Sequence, residues 1–403
     1  MTTNEEIEEI ENHLKNAEGK FNVAVGELKN KEKRLDELLE GEVENMKFPS
    51  KKARVDETDP LIQNLSKFWN ALPSADIVDD ILSLESGVFP NIRDNPSKIF
   101  IRKAYTDIFK EIKALIESHK YYRFVITGNP GIGKSYFLFY LLYELAKSGE
   151  TVVLDSHERV KCIVFKNAMV KLEKIDKLGH ILNEETTWYL VDTKKPLKYG
   201  AITILVSSPN PQYYKEFLKF PYATLRYMPI WSLEEISYCK NILFPDVEEN
   251  EMLNRFDKWG GIPRFVLEKI SDDKTLDSFL EKAIVKSDLK KCIMSIGEID
   301  SPEDVSHRIL HIVTNDYCCT TIMFASTYVA EKVAEHFERQ QKRELITFLS
   351  VSEGDGRLGS LRGQLFEGYA HNVLRKGGIF RIRKLGGNQE EELILKPRDE
   401  QLF

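Results

Sequence analysis

Residues Arg123-Phe124-Val125-Ile126-Thr127-Gly128-Asn129-Pro130-Gly131-Ile132-Gly133-Lys134-Ser135 decide how the chain folds. Phe124, Val125 and Ile126 read as a buried strand, the glycines as a tight loop, and the residues from Gly133 onward as the start of a helix. The loop fits G-x-x-x-x-G-K-[ST], the pattern of a phosphate-cradling P-loop. Gly128, Gly131 and Gly133 let the backbone turn and bring its N–H groups up to anionic oxygens. Lys134 carries a positive charge to the β- and γ-phosphates of a nucleoside triphosphate, and the Ser135 hydroxyl is a ligand for Mg²⁺. The positive end of the helix faces the same phosphates. The expected cofactor-binding stretch is Gly128, Asn129, Pro130, Gly131, Ile132, Gly133, Lys134, Ser135 and Tyr136. A plain Gly-Pro surface turn would leave Lys134 without a role.

Downstream, Tyr136 to Lys147 is apolar almost all round and stops at Gly149, the pattern of a buried helix. Thr151 to Asp155 and Val160 to Lys166 read as strands. Thr187-Trp188-Tyr189-Leu190-Val191-Asp192 is an apolar strand ending in an acid, the Walker B pattern, whose Asp192 holds Mg²⁺. Ala201 to Ser208 is a further strand. Ser208 stands where a γ-phosphate sensor would lie, although Ser-Ser-Pro-Asn-Pro is also turn chemistry. Strands alternating with helices predict an α/β fold, a parallel sheet with helices on both faces. Ligands of such sheets bind at the carboxyl ends of the strands, where Gly128, Asp192 and Ser208 fall. Where many P-loop ATPases carry a water-activating glutamate after the Walker B acid, this chain has Thr193. Asp155, ending the preceding strand, is the substitute the sequence offers.

From Met228 the pattern becomes helical, with a capping box at Ser232 and Glu235. The expected organisation is an NTPase core over residues 65–230, a helical lid over 231–300 and a separate unit over 301–403. Within the lid, Gly260-Gly261 ends one helix and Pro263 starts the next, setting Arg264 in a first turn. An arginine there reaches back to a γ-phosphate in several P-loop ATPases. Ahead of the core, Ile99 to His119 is helical in pattern, and Phe68, Trp69 and Leu72 form one helix face.

The flanks read differently. Residues 1–41 hold two seams, Ile7-Leu14-Phe21-Leu28-Leu35 and Ile10-Ala17-Ala24-Lys31-Leu38, apolar but for Lys31, the heptad spacing of a coiled coil that needs a partner helix. A second copy of the chain is the simplest partner. Residues 42–64 form a linker in which Lys51-Lys52-Ala53-Arg54 after a proline matches a short nuclear-import signal. The net charge of −7 gives no global basicity for nucleic acid. The five cysteines lack metal-ligand spacing and read as reduced thiols. No signal peptide opens the sequence, and the longest apolar run, Phe137 to Tyr143, is too short to span a bilayer. Near the carboxyl end, Thr321 to Ser326 reads as a strand and Tyr328 to Phe348 as a charged helix. Gly354 to Arg357 reads as a turn, Leu358 to Arg375 as a helix and Ile379 to Arg383 as a strand, followed by an acidic tail from Gly386.

Taken together, Phe124 to Leu142, Met228-Pro229-Ile230-Trp231, Gly260-Gly261-Ile262-Pro263-Arg264 and Leu361 to Ala370 resemble the NTPase module of crinkler-type effectors and retrotransposon hot spot (RHS) proteins. The likeness covers roughly residues 65 to 385. It implies an ATP- or GTP-dependent, Mg²⁺-dependent NTPase joined to a domain similar to restriction endonucleases, and a protein acting in a nucleus, its own cell's or a host's, or else in the cytoplasm. It makes Glu367 the helix acid of a nuclease-like domain and DNA its partner. Glu390-Glu391-Glu392 and Lys396 come late, and as a solvated charge run they leave that domain incomplete.

Overall fold

The computed structural model describes residues 59–84, 89–90, 97–268, 273–286, 306–351, 359–383 and 390–397. The expected coiled coil, the import-like cluster and the Gly354 to Arg357 turn lie outside the described residues. Helix α1 (Pro60–Ala71) begins within the stretch expected to be linker, capped by the Asp59 carboxylate on the Leu61 amide. It buries Leu65, Phe68 and Trp69. A small antiparallel sheet follows: β1 (Ile77–Val78), β2 (Ile81–Ser83) and β3 (Lys98–Phe100). Ile99 and Ile101 therefore belong to a strand and its exit, and helix α2 starts only at Lys103, running to Glu117. Its three-four stripe of Tyr105, Ile108, Phe109 and Ile112 is buried, as the periodicity predicts.

The centre is a seven-stranded sheet. In chain order its strands are β4 (Arg123–Thr127), β5 (Val152–Ser156), β6 (Cys162–Lys166), β7 (Met169–Glu173), β8 (Trp188–Asp192), β9 (Ile202–Val206) and β10 (Ala223–Tyr227). Across the sheet the order is β10-β4-β9-β8-β5-β6-β7. The five strands from β10 to β5 are parallel, while β6 and β7 add as antiparallel hairpin strands. The sheet is thus mixed rather than wholly parallel. The turn between β6 and β7 is too short for a crossover, so the chain can only double back.

Helix α3 (Lys134–Lys147) packs on one face against Phe124, Ile126, Leu190, Ile204 and Val206, together with α1 and α2. Phe137, Leu138, Leu141 and Leu142 are among its buried residues, each contributing about 1.5–3 kcal/mol by burial. The other face, with Val125, Val153, Tyr189, Val191 and Leu205, is covered by short segments carrying Leu178, Leu182, Tyr214 and Phe217. Four helices follow: α4 (Leu233–Leu243), α5 (Glu249–Trp259), the single turn α6 (Pro263–Val266) and α7 (Asp273–Lys286). The capping box at Ser232 and Glu235 forms with both of its hydrogen bonds.

The carboxyl-terminal part holds a ribbon of β11 (Leu310–Val313) and β12 (Thr321–Phe324), then α8 (Thr327–Val351) and α9 (Gly359–Arg375). These helices share a core that includes Trp259, Val329, Phe337, Leu361 and Leu365. A last hairpin pairs β13 (Gly378–Arg383) with β14 (Glu390–Leu395). Glu390, Glu391 and Glu392 are therefore exposed residues of a strand and not part of an acidic tail.

Candidate functional site

The site is built where β4 meets α3. Ile126, Val206 and Asp192 stand side by side in register on β4, β9 and β8, and Ser156 of β5 is level with Asp192. Gly128 and Ser208 each follow two residues beyond that row. The carboxyl ends of four neighbouring strands thus bring the loop, Ser208 and Asp192 to one edge.

The loop is held by its carbonyls. Lys134 Nζ, buried at the head of α3, donates to Gly128 O at 2.8 Å and to Asn129 O at 2.7 Å. Trp231 Nε1 donates to Ile132 O at 2.8 Å, and the Tyr105 hydroxyl to Gly133 O at 2.7 Å. Among the described residues, no backbone N–H from Gly128 to Gly133 donates a hydrogen bond. The carbonyls are turned outward into the protein and the amides are left over, the arrangement of an anion-binding nest. Gly133 has φ 96°, a left-handed conformation, and a Cβ there would collide with the Tyr105 hydroxyl.

Charges converge on the same place. Burial drives the Lys134 pKa down from 10.5 to about 7; Arg264 adds to the fall and Asp192 opposes it. Arg264, exposed at the start of α6, lies against the loop, where a Cβ on Gly131 would be 3.0 Å from the arginine Cβ. The Gly260-Gly261 bend makes this approach possible. Gly261 O accepts from Trp231 N at 2.9 Å, and a Cβ on Gly261 would overlap the Trp231 backbone. Burial raises the Asp192 pKa, while the Thr193 hydroxyl, donating to Asp192 Oδ1 at 2.9 Å, holds it back. Thr193 itself has φ 54°, unusual for a β-branched residue. The structure therefore brings Lys134, Arg264 and Asp192 together, with the exposed Ser135 beside Lys134 and half-buried Tyr136 next along α3.

Asp155 is not part of this group, which corrects the expectation. It is level with Val191 on β5, so it points to the opposite face of the sheet from Asp192. There it is buried, bonded to Lys194 Nζ at 2.6 Å and to the Tyr189 hydroxyl at 3.1 Å. The acid whose charge does bear on Asp192 is Glu158, exposed just beyond β5. His157 lies beside it, and its amide donates to Asp192 O at 3.1 Å. Asn210 caps the short helical turn Pro211–Tyr214 through its side-chain oxygen.

Sequence reasoning also missed Tyr105 and Trp231, whose only roles in the site are reached through the fold. Trp231 is set in turn by Arg102, which is 1 % exposed and stacks over the indole at 4.8 Å. Arg102 also bonds Pro229 O, Ile230 O and both carboxylate oxygens of Glu235.

The donor set fits a magnesium nucleotide. Unpaired amides and Lys134 suit phosphate oxygens, while Ser135 and a single carboxylate suit Mg²⁺, which keeps several waters of its own. Among the described residues, no cluster of three or more His, Cys, Asp or Glu is gathered as for a metal held by protein alone.

No family model matches the chain. Over 336 residues it is 30% identical to Crinkler effector protein 15 of Phytophthora infestans and 29% identical to Crinkler effector protein 16 of the same organism. The chain is similar to crinkler effectors. Each match takes in 80% of this chain and 53% of the relative, so the chain spans about half the length of the curated relatives it matches. Among solved structures, AMPPCP-bound DnaA from Aquifex aeolicus aligns over 69% of this chain and 90% of its own, with 12% identity and a TM-score of 0.29. A likeness that loose carries no conclusion about this chain. Among the described residues, no helix is long and apolar enough to cross a membrane.

Proposed function

We propose that the chain is a P-loop NTPase that binds a magnesium nucleoside triphosphate, ATP in preference to GTP, on Gly128 to Tyr136 and hydrolyses it to drive a conformational switch. The observation that carries this reading is the loop itself. Its carbonyls are tied to Lys134, Trp231 and Tyr105, and its amides are left for an anion. Lys134 binds phosphate oxygens, Ser135 and Asp192 hold Mg²⁺, and Arg264 and Ser208 contact the γ-phosphate when the helices of residues 231–300 close as a lid. Bound Mg²⁺ would neutralise charge on the phosphates. Glu158 replaces Asp155 as the acid that orients water, supported by its exposure and its nearness to Asp192. The test is phosphate release from MgATP by wild type, Asp192→Asn and Glu158→Gln. The account expects turnover lost in the first variant and reduced at least about a hundredfold in the second, with nucleotide still bound by Glu158→Gln.

A second reading has a specific observation behind it. The Thr193 hydroxyl occupies Asp192 where a glutamate would otherwise follow. A nucleotide-binding scaffold with little hydrolysis would then give wild-type turnover no faster than Asp192→Asn. The crinkler/RHS reading adds an effector acting in a nucleus, self-association through residues 1–41, and DNA as the partner of residues 301–403. For a nuclease, Glu367 is exposed on α9, without a metal cluster around it among the described residues. Metal-dependent DNA cleavage lost in Glu367→Ala would establish that activity.

A further inference from the structure

The loop residue Asn129 has a second attachment that no phosphate-binding role requires. Its side chain is fully buried. The amide nitrogen donates to Ile312 O at 3.2 Å, and the amide oxygen accepts from Ile312 N at 3.1 Å. Both backbone groups of one residue of β11 are thus gripped by one side chain, as a neighbouring strand would grip them. Ile312 faces Ile322 across the ribbon, so Asn129 occupies the outer edge of β11.

The ribbon touches the nucleotide-binding region elsewhere as well. Tyr317, in its turn, accepts from Tyr227 N at the end of β10 at 2.7 Å, and its hydroxyl donates to Asp107 of α2 at 3.0 Å. Gly260 in the lid packs directly on Ala325 O and His311. On the far side of the ribbon, Phe324 N of β12 donates to Gln364 Oε1 of α9 at 2.8 Å. Two side-chain amides, Asn129 from the loop and Gln364 from α9, therefore hold the two strands of one ribbon from opposite sides.

We propose that Asn129 couples occupancy of the phosphate loop to the seating of the β11–β12 ribbon, and through Gln364 to α9, so that the carboxyl-terminal helices register whether nucleotide is bound. The proposal rests on the reading of Gly128 to Ser135 as a nucleotide site. Its physical basis is that the carbonyl of Asn129 and the side chain of Asn129 belong to one residue. Lys134 Nζ now bonds that carbonyl and the neighbouring one at Gly128. When phosphate draws the lysine away, the backbone at Asn129 is released to turn, and its amide group turns with it. A coupling of this kind requires two arrangements of the ribbon that both sites bias.

Hydrogen–deuterium exchange on the full chain tests it, with and without Mg²⁺ and a non-hydrolysable ATP analogue, in wild type, Asn129→Ala and Gln364→Leu. In wild type the analogue should protect residues 128–135 and change exchange in 310–313, 321–324 and 359–375 together. Gln364→Leu should keep the responses of the loop and the ribbon and lose that of 359–375. Without nucleotide, Asn129→Ala should speed exchange at the Ile312 amide by roughly tenfold, the loss of one hydrogen bond. A ribbon that stays unchanged while the wild-type loop is protected would overturn the coupling. So would an equal ribbon response in Asn129→Ala with its loop protected. If the wild-type loop is not protected at all, the nucleotide reading fails and the coupling with it. Unaltered Ile312 exchange in Asn129→Ala would remove the clasp by itself.

Discussion

At the scale of the residue, Lys134 gives the sharpest prediction. Its ammonium is buried under the loop, and its pKa is lowered from 10.5 to about 7 by that burial first and by Arg264 second. In the free protein the charged form is therefore present below pH 7 and lost as pH rises past it. A triphosphate needs the charge. Above pH 7, binding must take up a proton, and affinity should fall about tenfold per pH unit until the ordinary lysine range is reached. Calorimetry of MgATP binding at pH 8, in buffers of different ionisation heat, should show about one proton taken up. Binding without proton uptake would contradict the buried lysine. A structural prediction concerns Asp155, whose carboxylate is paired with Lys194 on the far face of the sheet. Replacing Lys194 by Met leaves that buried acid without its cation and should lower stability by about 3–5 kcal/mol in urea unfolding.

At the scale of the element, the phosphate loop is shaped by what lies behind it. Trp231→Phe keeps an aromatic side chain, though a smaller one, and removes the donor to Ile132 O, leaving a buried carbonyl unpaired. The expected loss is about 1–3 kcal/mol by denaturant unfolding, with weaker nucleotide binding. These supports explain which parts were legible in the sequence. Strands β4, β8 and β9 and helix α3 are mostly apolar segments, so these elements could be read directly, and the candidate residues Lys134 and Asp192 stand at their ends. β10 escaped because Thr224 and Arg226 interrupt its apolar character, and Arg226 is satisfied by Glu111 of α2, far away in sequence. β14 was hidden behind three glutamates that lie on an exposed hairpin. The sequence offers Asp155 as a substitute for the missing glutamate because it ends a strand, but the face on which it lies follows only from the register of β5 with β8. Tyr105, Trp231 and the Asn129–Ile312 clasp join residues 28, 99 and 183 positions apart, and no local pattern encodes such pairings.

At the scale of the whole molecule, elements far apart in the chain meet at the carboxyl edge of the parallel strands. Arg102 ties the exit of β3 to the cap of α4, the turn α6 presents Arg264 to the loop, and the ribbon is gripped by Asn129. The separated stretches Gly-Asn-Pro-Gly, Met-Pro-Ile-Trp, Gly-Gly-Ile-Pro-Arg and Leu-Arg-Gly-Gln carry residues that meet around the loop and ribbon. The central claim is that this edge holds a triphosphate. Titration of a fluorescent ATP analogue with Mg²⁺ into the purified chain tests it most directly, beside Lys134→Ala checked for folding by circular dichroism. The account predicts saturable binding by wild type and an affinity weaker by roughly 10- to 100-fold in a folded Lys134→Ala, the loss of a charged hydrogen-bond donor. Equal affinity in the two proteins, or no binding by wild type, would contradict it.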